Sequence, residues 1–313
     1  MKVVALAGGV GGAKLAAGLQ DALPAGDLTV VVNTADDFDL WGLHICPDLD
    51  TVMYTLAGIA NPETGWGIVG ESFESLNMLG RYGEDTWFKL GDRDLATHTL
   101  RTHRLRAGET LTKVTTELSD ALGVQSALLP MSDDPVSTVL DTPEGRLEFQ
   151  EYFVRRGQRD EVLGVELRGI EDARPSKEVF AAISGADAIV ICPSNPVVSV
   201  GPILGLPGLR KALASSSAPK VAVSPIIGGR ALKGPADKML LSLGHEVSAT
   251  GVAAMYEDLV DGMVVDKIDE RERAGIEAMG MRVLVTDSVM RGAKDRARLA
   301  SETLEFGAGM VAR

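Results

Sequence analysis

The chain has 313 residues, of which 45% are apolar and 24% charged, with a formal net charge of −13. This balance is ordinary for a soluble globular protein, and the length suffices for one large α/β domain over 1–313. It excludes nucleic acid as a main partner, since a phosphate backbone needs a basic surface. No apolar run reaches the roughly 18 residues of a membrane helix, so no membrane partner is expected.

The opening Met1-Lys2-Val3-Val4 is too short before a glycine loop to read as a signal peptide. The first apolar run, Lys2–Leu6, enters Gly8-Gly9-Val10-Gly11-Gly12-Ala13-Lys14, and a helical pattern over Ala13–Leu23 follows. This is the strand–loop–helix setting of phosphate loops, yet it fits neither common template. Lys14 stands where the dinucleotide fingerprint wants its third glycine, and Lys14-Leu15 stands where a P-loop wants Lys-Ser/Thr. Glycines still let backbone N–H groups approach an anion at the helix start, and Lys14 adds a point charge. The plain alternative is a tight turn with a solvated lysine.

The next run, Leu28–Val32, ends in Asn33-Thr34-Ala35-Asp36-Asp37, with Asp39, Asp48 and Asp50 close behind. So many acids on one strand exit repel one another unless a cation offsets them. Mg²⁺, held by one or two carboxylates plus substrate phosphates, fits that need. Cys46 and Cys192, far apart in sequence, read as reduced thiols of a cytoplasmic protein. The stretch 51–123 is rich in helix formers and carries Trp66 and Trp87; it reads as a helical insertion capping a crevice. Within it, His98 and His103 are five apart, off one helical face, and read as structural or surface groups. Across the chain the four histidines show no zinc spacing. Trp41, Trp66 and Trp87 suit either packing or stacking on a flat ring.

Further runs at Ala127–Leu129, Ala188–Cys192, Val221–Val223 and Arg282–Val285 each end in a polar cluster, among them Ser132-Asp133-Asp134 and Ser194-Asn195. Helical patterns lie at Lys177–Ile183, Lys233–Leu243 and Arg271–Met279. Continuous apolar strands alternating with helices predict a doubly wound, mostly parallel, Rossmann-like α/β sheet with ligands at the carboxyl strand ends. Arg146–Val154 alternates like a strand and predicts a ribbon with Val136–Asp141.

Taken together, AGGVGGAK, VVNTADD, CPDLDTVMYTLAG, KLGDRDLATH, LPMSDDPVST, PSNPVVSVGPIL and KGPADK resemble the 2-phospho-L-lactate transferase family of coenzyme F-420 biosynthesis. The resemblance is collinear from Lys2 to about Asp287. It implies a Mg²⁺-dependent homodimer that joins a guanylylated phospho-acid to a deazaflavin alcohol, releasing GMP. It implies deazaflavin contacts at Asp50, Lys89 and Asp92. Nucleotide and phosphate contacts are implied at Gly8, Gly9, Gly11, Gly12, Lys14, Asn33, Ser132, Asp133, Ser194 and Asn195. Asp36, Asp37 and Asp50 become catalytic candidates, and Asp36, Asp48 and Asp50 metal candidates. Phospholactate, phosphoenolpyruvate and phosphoglycerate donors remain open, because a pocket separates such small differences weakly. The alternative is a nucleotide-sugar-binding regulator of a related gluconeogenesis-factor family. That family reads Asp-Asp-Gly-Gly where this chain reads Asp36-Asp37-Phe38-Asp39. A nicotinamide oxidoreductase is disfavoured by Lys14 at the third fingerprint position.

Overall fold

The computed structural model describes residues 1–311. Its centre is a seven-stranded, all-parallel sheet. In chain order the strands are β1 (Val3–Ala7), β2 (Leu28–Val32), β3 (Ala127–Pro130), β4 (Ala188–Ile191), β5 (Lys220–Val223), β6 (Gly262–Asp266) and β7 (Arg282–Thr286). Their spatial order is β7-β6-β5-β4-β1-β2-β3. The order reverses at β1, which pairs with β2 on one side and β4 on the other. In such sheets the reversal opens a crevice beyond the strand ends.

Every residue of β1 is buried, because the sheet is covered on both faces. Val4 and Leu6 point into one core with Val179, Ile183, Leu209 and Leu240 of the helices behind the sheet. Val3, Ala5 and Ala7 point into the other, with Leu15 and Leu19 of α1 (Gly9–Ala22) and Leu299 of the helix Ala293–Val311. The doubly wound expectation therefore holds. β6 escapes the sequence reading because Gly262 opens it and Asp266 closes it, both poor strand formers.

Between β2 and β3 lie four helices, α2 (Pro47–Leu56), α3 (Glu74–Arg81), α4 (Asp92–Arg106) and α5 (Leu111–Ala121). Pro47 at the first turn starts α2 before the expected boundary at Thr51. The ribbon over Arg146–Val154 is only partly present. Gly145–Glu148 pairs with Ser137–Thr142, but Glu151–Arg155 forms a π-helical turn. Helical spacing there stacks Phe149 on Phe153, with centroids 5.4 Å apart, whereas the extended rise of a strand would hold them about 13 Å apart. No described helix is long and apolar enough to cross a membrane.

Candidate functional site

A cavity of about 760 Å³ opens over the sheet's reversal point. Its floor comes from the exits of β1, β2, β4, β5 and β7, through residues such as Gly9, Asp36, Ser194, Ser224 and Ser288. Its roof comes from 47–98, through residues such as Tyr54, Trp66 and Trp87.

The glycine loop is built by contacts that leave no room for side chains. Gly9 starts α1 at φ +62°, a left-handed conformation that favours glycine. A Cβ on Gly11 would lie 2.3 Å from the Pro193 carbonyl oxygen. Gly8 N donates to Ser194 Oγ (3.0 Å), which donates back to Gly8 O (2.8 Å). Gly12 is buried behind the loop, against that same serine. Gly8, Gly9, Gly11, Lys14, Ser194 and Asn195 all line the cavity. Asn33 sits just beneath it, donating to Asp48 Oδ2 (3.0 Å) and to Val198 O (3.2 Å).

Two carboxylates share this floor. Asp48, in the first turn of α2, accepts from Gly9 N at 2.8 Å and from Asn33. Burial is the main reason its carboxyl is pushed up to about 6. Asp36 is 5% exposed, and its Oδ1 has no hydrogen-bond partner. Burial, then the charge of Asp48, push Asp36 well above the ordinary carboxylate range. Among the described residues neither acid forms an ion pair with a basic side chain. Two buried carboxyls without a basic partner, one with an unpartnered oxygen, at a phosphate loop fit a hard divalent cation such as Mg²⁺.

Asp50 lines the same cavity but is already engaged. Arg101, 1% exposed, grips it with both guanidinium nitrogens, Nη1 to Oδ2 at 3.0 Å and Nη2 to Oδ1. His98 Nδ1 lies 3.3 Å from Arg101 Nη1, and its Nε2 lies 3.2 Å from Asp94 Oδ1. Tyr54 donates its hydroxyl to Asp94 at 2.7 Å. Burial opposes ionisation of Asp94, but His98 and Tyr54 outweigh it and hold the carboxyl low. Asp50 is therefore a poor metal ligand: a bidentate guanidinium occupies both oxygens. His98 is buried in this network, as the structural half of its reading has it, and it also lines the cavity, so it is not a surface group. The signal that reveals this group is Asp94, His98 and Arg101 at i, i+4 and i+7, a charged stripe on a buried helix face.

The roof is aromatic. Phe38, Trp87 and Phe88 form a tilted cluster with centroids 4.9–6.0 Å apart. Trp66, Trp87, Phe88, Phe149 and Phe153 all face the cavity, with Lys89 among them. Trp41 does not; it turns the hairpin between Phe38–Leu40 and Leu43–Ile45 with a positive φ of 51°.

Several expected residues lie elsewhere. Ser132 donates to Arg174 O (2.7 Å), and Asp133 accepts from Thr112 N (2.7 Å). Both follow the edge strand β3, two strands from the crevice, and neither lines the cavity. Asp92 accepts from Ser72 Oγ (2.6 Å), Glu74 N (2.9 Å) and Ser75 N (3.0 Å), which hold it well below its ordinary value. It caps α3 instead of facing the cavity. Asp37 points away toward His44 Nε2, at 3.6 Å, and Cys46, and Asp39 is a solvent-facing partner of His44 Nδ1 at 3.2 Å.

Residues 3–302 match the family described as "2-phospho-L-lactate transferase CofD". A phosphoenolpyruvate transferase of Streptomyces griseus is 44% identical over 98% of both chains. A 2-phospho-L-lactate transferase of Methanosarcina acetivorans is 40% identical, again over 98% of both. Among solved structures, a UPF0052 family member of Bacillus halodurans has the same fold, with a TM-score of 0.67 at 18% identity over 97% of this chain and 98% of its own.

Proposed function

The chain belongs to the 2-phospho-L-lactate transferase CofD family of phosphoacid transferases, and from that premise we propose its acceptor, donor and cation. The acceptor is the ribityl hydroxyl of 7,8-didemethyl-8-hydroxy-5-deazariboflavin. The donor is a guanylylated three-carbon phospho-acid, and GMP is released. One observation carries this reading. A single cavity joins a glycine loop and two buried acids that lack a basic partner on one side to an aromatic wall with a clamped carboxylate on the other. That division suits a nucleoside diphosphate ester on the floor and a flat tricyclic ring under the roof.

In the reaction the ribityl oxygen attacks the phosphorus that carries the acid. The bond from that phosphorus to the GMP oxygen breaks, and GMP leaves with the electron pair. The hydroxyl proton passes to a carboxylate of the cavity. Such a transfer asks mainly for positioning and charge neutralisation. The free N–H groups of the first α1 turn face the phosphates. Asp36 and Asp48 would hold Mg²⁺, which supplies charge neutralisation to the diphosphate when bound. Asp50, fixed by Arg101, and Lys89 orient the acceptor's polar groups. Trp66, Trp87 and Phe88 pack on its ring and exclude water.

The test is incubation of the protein with the deazaflavin alcohol, Mg²⁺ and, in turn, the guanylylated phospholactate, phosphoenolpyruvate and phosphoglycerate donors. Mass spectrometry follows the deazaflavin. The expected result is a mass gain of one phospho-acid with equimolar GMP, abolished by EDTA. No gain with any donor, and no deazaflavin binding, would sink this reading in favour of a nucleotide-sugar-binding regulator.

A further inference from the structure

Two lysines of the cavity wall stand beside the glycine loop with no acidic partner among the described residues. Lys14 Nζ donates to Met290 O at 3.1 Å, and Lys233 Nζ donates to Thr64 O at 3.1 Å. Each ammonium group has three donors, so each keeps two in hand. Some other lysines of the chain pair with acids, as Lys2 does with Asp27 and Lys113 with Glu109, and Lys89, on the aromatic side of the same cavity, has no such partner either among the described residues. Among the described residues Lys14 and Lys233 form no ion pair, although the chain carries an excess of 13 negative charges. The two lie close enough that burial, then Lys233, lower Lys14. Holding like charges together beside a cavity costs stability unless an anion joins them.

The position of Lys233 says which anion. A Cβ placed on Gly65 would lie 3.0 Å from Lys233 Nζ and 3.0 Å from Val10 Cγ1. The ammonium therefore leans over the glycine loop from the roof side, next to where a phosphate would sit. The loop's N–H groups and the Asp36–Asp48 pair already serve the diphosphate. The remaining negative charge of the donor is its carboxylate, which in phospholactate and phosphoenolpyruvate is borne by the carbon attached to the ester oxygen. On the reading of the site given above, we propose that Lys14 and Lys233 form a carboxylate subsite that recognises the acid being transferred. Because both acids place the carboxylate alike, this subsite reads what the donors share, and it is indifferent to the methyl or methylene group.

The test compares two guanosine diphosphate esters. The lactyl ester carries the carboxylate, and the ethyl ester lacks only that group. Equilibrium binding to the full chain with Mg²⁺ is measured by calorimetry, with GDP as reference. Wild type should bind the lactyl ester about tenfold or more tighter than the ethyl ester, in line with charge-assisted hydrogen bonds. In Lys233→Met that ratio should collapse toward one, with GDP and ethyl-ester affinities unchanged, and Lys233→Arg should recover most of it. If Lys233→Met weakens all three ligands alike, the lysine serves phosphate and the proposal fails. An unchanged ratio in Lys233→Met overturns it equally. A wild type that binds GDP but shows no preference between the esters refutes the subsite alone, whereas one that binds none of the three refutes the donor reading as well.

Discussion

Asp48 and Asp50 stand two residues apart on α2, yet they belong to different halves of the site. Two steps along a helix turn a side chain by about 200°, so the two carboxylates face opposite ways. Asp48 turns to the sheet, where backbone N–H, Asn33 and a second acid surround it. Asp50 turns to α4, where Arg101 neutralises it. The same residue type at nearly the same place thus becomes an open charge on one side and a closed ion pair on the other. An open pair of acids awaits a cation; a closed one is a fixed polar surface. α2 is the seam between a floor made of strand exits and a roof made of inserted helices.

The largest expected effect comes from opening the closed pair. Arg101→Met leaves Asp50 buried without its guanidinium, with only His98 Nδ1 nearby at 3.6 Å, and should cost about 3–5 kcal/mol. Denaturant unfolding checks this, and Asp50→Leu combined with Arg101→Met should recover much of the loss. If Arg101→Met is neutral, Asp50 is not held as described.

Removing the open pair should do the reverse. Asp48→Asn or Asp36→Asn should lower kcat by about 10²–10³-fold, the usual scale for a lost electrostatic contact in a transition state. The melting temperature of the metal-free protein should hold or rise, because a buried uncompensated charge is gone.

A pH test sharpens the same contrast. A carboxyl raised in the folded state binds its proton more tightly there than in the unfolded chain. Stability is therefore present below the ordinary carboxylate value and is lost as pH rises toward the folded value, about 6 for Asp48. A cation that binds the ionised pair restores it. Mg²⁺ should thus raise the melting temperature more at pH 7.5 than at pH 5, and Asp48→Asn should flatten the difference.

Smaller effects belong to the roof. Trp87→Ala should raise the acceptor KM up to about tenfold through lost aromatic contact, leaving the donor KM unchanged. Asp92→Asn should lower the melting temperature by loosening the cap of α3, with the acceptor KM unmoved.

The floor was largely legible in the sequence, because strand exits follow chain order and each leaves its mark as a glycine or polar cluster after an apolar run. Gly9, Asp36, Asp48 and Ser194 were found in this way. Ser132 and Asp133 carry the same mark and yet fall outside, since nothing in the chain's order puts β3 at the edge of the sheet. The roof was less legible. Arg101 meets Asp50 across 51 residues, a pairing set by how α4 docks on α2. The aromatic wall draws Phe149 and Phe153 from a segment whose alternation imitates a strand. The outward turn of Asp37 depends on the hairpin that follows it, which places His44 within reach.

The two-sided division of the cavity is tested most directly by titrating each substrate class separately. GDP with Mg²⁺ and the deazaflavin alcohol would each be titrated into wild type, Asp48→Asn and Trp87→Ala. Asp48→Asn should lose the Mg²⁺-dependent part of GDP binding and keep the deazaflavin, and Trp87→Ala should do the opposite. Variants that weaken both ligands together would show one undivided site and contradict the account.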